Sequence, residues 1–266
     1  MGQLLTIGFG SHQVSIKADC PEIIQQIELW FQAMLVPQAA PASPRLLVSG
    51  DFGKYRLQNS SGLDRSFTST LWLLQAIKYE VVTSLIEANS HLLWFHAGAI
   101  AQGHKGLLIA SPSGGGKSTL TSRLCQQGWR YLSDDAVPLD LHTGKLFPFP
   151  QTPRVRQPSK TLVSSNKLAS LPKSEVVLTG DRLCTRPVSL SGIVFPRFSP
   201  DEPARLSLMS SSQALLSLLK NCINFTHHKK KAIEALCQLI QPCPAAALHF
   251  SDAETAIAHL ISWWEG

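Results

Sequence analysis

Charge is scarce in this sequence: only 16% of its 266 residues are Asp, Glu, Lys or Arg, against 44% apolar ones. That balance excludes an intrinsically disordered chain, which needs high charge and little apolar content to stay solvated. Paired cysteines are missing too. Cys20, Cys125, Cys184, Cys222, Cys237 and Cys243 form no C-x-x-C pair and no zinc-ligand spacing, which argues against a zinc module. Isolated cysteines in a chain of this size suggest a reducing compartment. No run reaches the ~18 uninterrupted apolar residues of a membrane span. The start, "MGQLLTIGFGSHQVSIK", lacks the charged opening and long apolar stretch of a signal peptide. No internal repeat is present. Together these absences predict a soluble, cytoplasmic chain with no membrane partner.

What is present allows one large domain or a small domain joined to a medium one, with ample core. A net charge of +6 and a pI near 9.1 favour anionic partners such as nucleotides or acidic peptides. Nucleic acid is not expected, because the basic residues are scattered apart from "HHKKK" at 227–231, which reads as a solvated helix face.

Residues 1–65 read as a small α+β domain. "QVSIKA" alternates like a strand, and "DCPEIIQQIELWFQAML" has helical spacing at Ile23, Ile24, Ile27 and Trp30. Its start carries a capping-box pattern, Asp19 with Glu22, and Pro21 in the first turn. A rigid loop at 37–44 precedes two short strands, "RLLVS" and "KYRLQN". Residues 66–266 read as a second domain in which strands interleave with helices, a three-layer α/β arrangement. Its first helix is expected over 69–90, buried through Leu71, Leu74, Ile77, Val81, Val82 and Leu85. Strands follow at 91–101, "KGLLIA", "WRYLSDDAVPLDL", "VSLSGIVFPRF" and "AALHF". Helices are expected in "SSSQALLSLLKNC", "HKKKAIEALCQLI" and "SDAETAIAHLISWW", the last with Ser251 and Glu254 at capping-box spacing.

The stretch "LLIASPSGGGKSTLTSRL", 107–124, approximates the phosphate-loop pattern G-x-x-x-x-G-K-[ST]. Gly116, Lys117 and Ser118 supply its second half, while the first glycine position falls on Ser111. Such a loop needs consecutive N–H groups turned inward, which Gly114, Gly115 and Gly116 permit. Ser113 before them and Thr119 after them complete the expected contact. A helix from Lys117 would add a dipole contribution of roughly 0.3–1 kcal/mol for a bound anion. Lys117 would reach the terminal phosphates, and the Ser118 hydroxyl would take a place on Mg2+. The alternative is an ordinary glycine-rich turn between a strand and a helix.

"RYLSDDAV" places Asp134 and Asp135 at a strand end, where open α/β sheets gather their ligands. One carboxylate can hold Mg2+ and the other can accept a proton, unless the pair only caps a turn. His96, in "LLWFHAGA", is the third candidate, against the alternative of a satisfied core histidine.

In order and spacing, "FHAGAIAQGHKGLLIASPSGGGKST…GWRYLSDDAV" resembles the catalytic core of the HPr kinase/phosphorylase family. Those proteins carry a strand His, a hairpin, a G-x-S-G-x-G-K-S loop, then a Gly and an Asp-Asp pair. The matching positions are His96, Ser113, Gly114, Gly116, Lys117, Ser118, Gly128, Asp134 and Asp135. The segment from "LSGIVFPRFSPDEPARLSLM" onward is similar to HPr-kinase-related proteins of peptide-modification and lasso-peptide clusters. The resemblance implies a nucleotide core like that of phosphoenolpyruvate carboxykinase, and transfer of the γ-phosphoryl of ATP to a serine hydroxyl. It also implies that Lys117 and the loop amides hold phosphates and that Ser118 and Asp134 bind Mg2+. Asp135 would be the base, and His96 would contact the phosphoryl group or orient an Asp.

The bifunctional members carry a Glu in a glycine-containing segment beyond the Asp pair, where this chain has "VRQPSKTLVSSNKLAS". HPr as acceptor and the reverse phosphorylase activity therefore lack their sequence support. Arg154, Arg156 and Arg197 are further candidates for steadying phosphate charge, Arg197 first because it follows Pro196 at a strand end. The expected partner is a peptide or protein with a serine-type hydroxyl, as in peptide natural-product maturation, and a homo-oligomer is open. A nucleotide-binding scaffold without transferase activity, or a small-molecule kinase, remains as the alternative.

Overall fold

Short alternating strands bounded by glycine turns, and helices with one apolar side, build a mixed α/β protein. A computed structural model describes residues 2–37, 44–51, 53–156, 173–178 and 180–266, and these divide into two units, Met1–Ser90 and His91–Gly266. Among the described residues no helix is long and apolar enough to cross a membrane.

The first unit is a five-stranded sheet with two helices. Strands β1 (Gln3–Phe9), β2 (His12–Ala18), β3 (Leu46–Asp51), β4 (Lys54–Asn59) and β5 (Asp64–Phe67) lie side by side in chain order. Only β2 and β3 run parallel, and the connection between them contains α1 (Pro21–Trp30), as a parallel pair requires a crossover. Helix α1 buries Ile23, Ile24, Ile27 and Trp30, the four residues its spacing singled out. The capping box is not formed: the helix begins at Pro21, so the N-cap is Cys20, without a side-chain bond, and Asp19 stands one residue too early to cap it.

Helix α2 (Thr70–Ala88) belongs to this unit and packs on β2 and β4, so the division falls after Ser90 and not after residue 65. Its buried side is set by Leu73, Leu74, Ile77, Val81 and Leu85. Leu71 is 52% exposed and Val82 only half-buried, so the stripe is narrower than the run of apolar residues implied. The loop expected at 37–44 lies largely outside the described residues.

The second unit is a nine-stranded mixed sheet between two helical layers. Its ladder runs through β6 (Leu93–Phe95), β7 (Ala97–Gln102), β8 (Lys105–Ala110), β9 (Arg130–Ser133), β10 (Val137–Asp140) and β11 (Lys145–Leu146). A separate ribbon pairs β12 (Arg154–Arg156) with β13 (Lys173–Glu175). The long strand β14 (Val188–Phe198) pairs parallel with both β8 and β16 (Ala245–Phe250), and β15 (Arg205–Leu208) extends the sheet beyond β16. Helix α3 (Lys117–Gln126) and the terminal helix α7 (Ala253–Glu265) cover one face. Leu120, Leu124, Ile257 and Leu260 pack there against Ile109, Val194 and Leu248. Helices α4 (Ser211–Lys220) and α6 (Lys230–Ile240) cover the other, where Leu218 and Leu236 meet Leu108, Ile193 and Ala245. Each fully buried Leu or Ile here contributes roughly 1.5–3 kcal/mol. Successive residues such as Leu108 and Ile109, or Ile193 and Val194, serve opposite layers, which is why these strands read as continuous apolar runs.

Three segments depart from the sequence reading. Residues 91–101 form two strands that break at His96, and "WRYLSDDAVPLDL" breaks at 134–136. The basic run 227–231 spans two helices, α5 (Phe225–His228) and α6, separated by Lys229 at φ 46°. The cap of α7 is Asp252 and not Ser251, its carboxylate accepting from Thr255 N at 2.8 Å. Helix α4 does carry a complete capping box, Ser210 with Gln213.

Candidate functional site

The two breaks in the sheet face each other. Strand β6 pairs with β10 through Phe95 and Val137, and β7 pairs with β9 through Ala99 and Ser133. His96 and the 134–136 bend therefore occupy one corner where the two ladders part. Asp135 adopts φ 74°, a left-handed conformation uncommon for a side chain other than glycine though Asp tolerates it. That turn presents its carbonyl oxygen to His96 Nδ1 at 3.1 Å. A carbonyl only accepts, so Nδ1 carries the proton and, in the neutral ring, Nε2 is the acceptor. The His96 main chain is fixed as well, its N–H donating to Asn221 O at 2.7 Å.

Asp134 is 4% exposed and lies against α3. The approach is allowed by Gly98, where a Cβ would stand 2.5 Å from Thr121 Oγ1 and 3.6 Å from Asp134 Oδ1. Thr121 in turn donates to Lys117 O at 2.8 Å, one turn back toward the helix start. The aspartates also reach Tyr131: burial first, then the negative charge of Asp134 and Asp135, pushes its phenol well above its ordinary value.

The glycine loop joins β8 to α3, and the helix begins at Lys117 as the sequence predicts. Gly114 and Gly116 have φ of 90° and 97°, and Gly116 is the N-cap without a side-chain bond to the first turn. A Cβ on Gly116 would meet the Phe250 ring at 2.5 Å, and one on Gly115 would run into Ser111 Oγ and stand 3.0 Å from Pro196 O. Ser111, at the position of the missing first glycine, is 3% exposed and fills the space under the loop. Lys117 is buried and folds back, with Nζ donating to Ser111 O at 2.6 Å and Pro112 O at 3.1 Å. Ser118 and Thr119 are half-buried on the first turn.

A cleft of about 700 Å³ opens beside this loop, within the size range of small-ligand sites. His96, Ser113, Gly114, Gly115 and Arg197 line it. Gly116, Lys117, Ser118, Thr119, Asp134 and Asp135 are not among its lining residues. Arg197 is exposed at the end of β14. Arg154 is ion-paired with Glu175 at 3.2 Å across the β12–β13 ribbon, which gives it a structural partner, and the Arg156 side chain lies outside the described residues.

Sequence reasoning missed the opposite wall, made by Ser217, Lys220, Asn221, Cys222 and Ile223. Lys220 closes α4, and the signal that locates this wall is the long-range bond from His96 N to Asn221 O. Also missed was Gln151, 2% exposed, whose two side-chain polar atoms are buried without a hydrogen-bond partner among the described residues. Its carbonyl accepts from Tyr131 OH at 2.5 Å.

Ser118 and Asp134 are both hard oxygen donors, the kind Mg2+ takes in phosphate sites alongside substrate oxygens. Among the described residues no cluster of three His, Cys, Asp or Glu side chains could hold a metal unaided.

No family model matches the chain, and no curated protein matches its sequence. Among solved structures it is similar to the Hpr(Ser) kinase/phosphatase from Coxiella burnetii, at 14% identity over 65% of this chain and 99% of that one, with a TM-score of 0.29.

Proposed function

We propose that this protein is an ATP- and Mg2+-dependent phosphotransferase of the HPr-kinase-like kind, which moves the γ-phosphoryl group of ATP to a serine-type hydroxyl of a peptide or protein. The observation that carries the reading is the approach of α3 to the aspartate bend at Gly98, where a Cβ would stand 2.5 Å from Thr121 Oγ1 and 3.6 Å from Asp134 Oδ1. A carboxylate beside the helix that opens a glycine loop is what phosphoryl transfer requires, since the catalysis is positioning and charge stabilisation.

In this reading the amides of Gly114, Gly115 and Gly116, with Ser113 and Thr119, cradle the phosphates. Lys117 exchanges the carbonyls of Ser111 and Pro112 for a charged phosphate partner, a stronger bond. Ser118 and Asp134 hold Mg2+, which supplies neutralisation of phosphate charge. Asp135 takes the proton of the acceptor hydroxyl as its oxygen bonds to the γ-phosphorus. The bond from that phosphorus to the bridging oxygen breaks, and ADP leaves with the electron pair. His96, held by the Asp135 carbonyl, presents its remaining nitrogen, and Arg197 steadies charge from the cleft.

Label transfer from γ-labelled ATP, with Mg2+, to serine-containing peptides tests the proposal. Label on a peptide is expected, and it should vanish in Lys117→Ala and Asp135→Asn. ATP binding with no transfer to any acceptor would replace this reading with a nucleotide-binding scaffold. Label on free serine or a sugar alone would replace it with a small-molecule kinase.

A further inference from the structure

Three strands beside the cleft bring basic side chains into one row. Arg197 on β14 is the register partner of His249 on β16, and His249 is the register partner of Arg205 on β15. Paired residues on neighbouring strands share a face, so Arg197, His249 and Arg205 project from the same side. That side is the one covered by α4 and α6 further along, because Ile193 and Phe195 on β14 and Ala245 on β16 alternate onto it. The row begins in the cleft at Arg197, and Lys220 adds a fourth basic group to the lining of that cleft.

Adjacent strands lie about 4.8 Å apart, so the ends of the row are separated by roughly 10 Å at the backbone. Arg197 and Arg205 are both exposed, so no buried point for a single carboxylate or phosphate is built between them. The row suits several anionic side chains spaced along one extended chain. The protein itself demonstrates the chemistry: Glu202, in the 199–204 turn, places a carboxylate oxygen 2.8 Å from His249 Nδ1. One position of the row is thus filled from within, while the arginines flanking it face solvent.

We infer that the β15–β16–β14 row is a docking strip for an acidic peptide segment, which delivers a nearby serine-type hydroxyl to the cleft at Arg197. This rests on the phosphotransferase reading for its acceptor, but its test separates the two. Association is steered by charge complementarity and is weakened by salt.

The experiment measures binding to the full chain, loaded with Mg2+ and a non-hydrolysable ATP analogue, of three extended peptides with a central serine flanked by glutamates, glutamines or lysines. The glutamate peptide should bind at least about tenfold more tightly than the other two, and less so at high salt. Arg205→Glu should remove that preference while affinity for the ATP analogue stays unchanged. Glu202→Gln, which withdraws the internal carboxylate, should tighten the acidic peptide. Equal binding of all three peptides, or an Arg205→Glu variant that keeps the preference, overturns the strip. Phosphoryl transfer without charge preference would leave the kinase standing and remove the strip. Preferential binding of the acidic peptide by a protein that transfers nothing would do the reverse.

Discussion

His96 and Asp135 stand 39 positions apart in the chain, yet His96 Nδ1 donates to the Asp135 carbonyl at 3.1 Å. The bond ties the break between β6 and β7 to the bend between β9 and β10, and it holds a non-glycine residue at φ 74°. An asparagine amide nitrogen is isosteric with Nδ1, so His96→Asn should keep the donor and near-native stability. His96→Ala should lose about 1 kcal/mol. Both should lower phosphoryl transfer if the second ring nitrogen serves the reaction. Thermal denaturation alongside label transfer separates the two roles, and an alanine variant as stable as the parent would remove the structural one.

Gly98 sets how closely α3 approaches the aspartate bend. Gly98→Ala places a methyl group 2.5 Å from Thr121 Oγ1, and should cost about 1–3 kcal/mol as overpacking. Adding Thr121→Ala removes the atom it strikes, so the double variant should recover most of the loss. Denaturant unfolding of the four proteins in the cycle gives the coupling. Additive effects would mean that the strain lies elsewhere.

Gln151 buries an amide that makes no side-chain hydrogen bond among the described residues. Burial of such a group costs about 1–3 kcal/mol by mutational measures. Gln151→Met keeps the volume and removes the polar atoms, so it should raise the denaturation midpoint. A drop in stability would show that the amide is satisfied, for instance by an ordered water.

Helix α7 depends on the Asp252 cap. The Thr255 backbone N–H, then its hydroxyl, hold the Asp252 carboxyl below its ordinary value. A carboxyl depressed in the folded state adds stability above its unfolded pKa of about 3.9 and loses it as pH falls through the folded value. Asp252→Ala should therefore cost about 1 kcal/mol near neutral pH, and progressively less below pH ~4. Unfolding curves of both proteins across that range check the sign. A penalty that grows on acidification would contradict it.

Thiol chemistry should follow burial. Cys237 is exposed, whereas burial pushes the Cys125 and Cys243 thiols up to about 12 and Cys222 to about 11. At neutral pH an alkylating reagent should modify Cys237 first and leave Cys125 and Cys243 untouched until the protein unfolds. Peptide mapping after timed labelling reads the order directly, and early modification of Cys125 would refute the packing of α3.

Local patterns were legible wherever one residue's role depends on close neighbours in sequence. Helix α1 buries the four residues its spacing picked out, and α3 starts at the lysine after the glycines. Caps were less legible, because a cap depends on one backbone geometry: Cys20 took the N-cap place expected of Asp19, and Asp252 that of Ser251. The apolar run of α2 hid its phase, since Leu71 and Leu73 look alike in sequence but only Leu73 is buried. The 91–101 run gave no sign of its break, because His96 is turned by a carbonyl that arrives from Asp135.

By itself the sequence determined the alternation of strands and helices in the second unit and the strand–loop–helix around the glycines. These follow from periodicity and from the backbone freedom of glycine, both local properties. Tertiary structure alone decided that α2 belongs with the first unit, that Ser217, Lys220, Asn221, Cys222 and Ile223 line the cleft, and that Arg197, His249 and Arg205 stand abreast. Each of these is a matter of strand register and helix packing between distant segments, and register is fixed by which faces the whole core must bury.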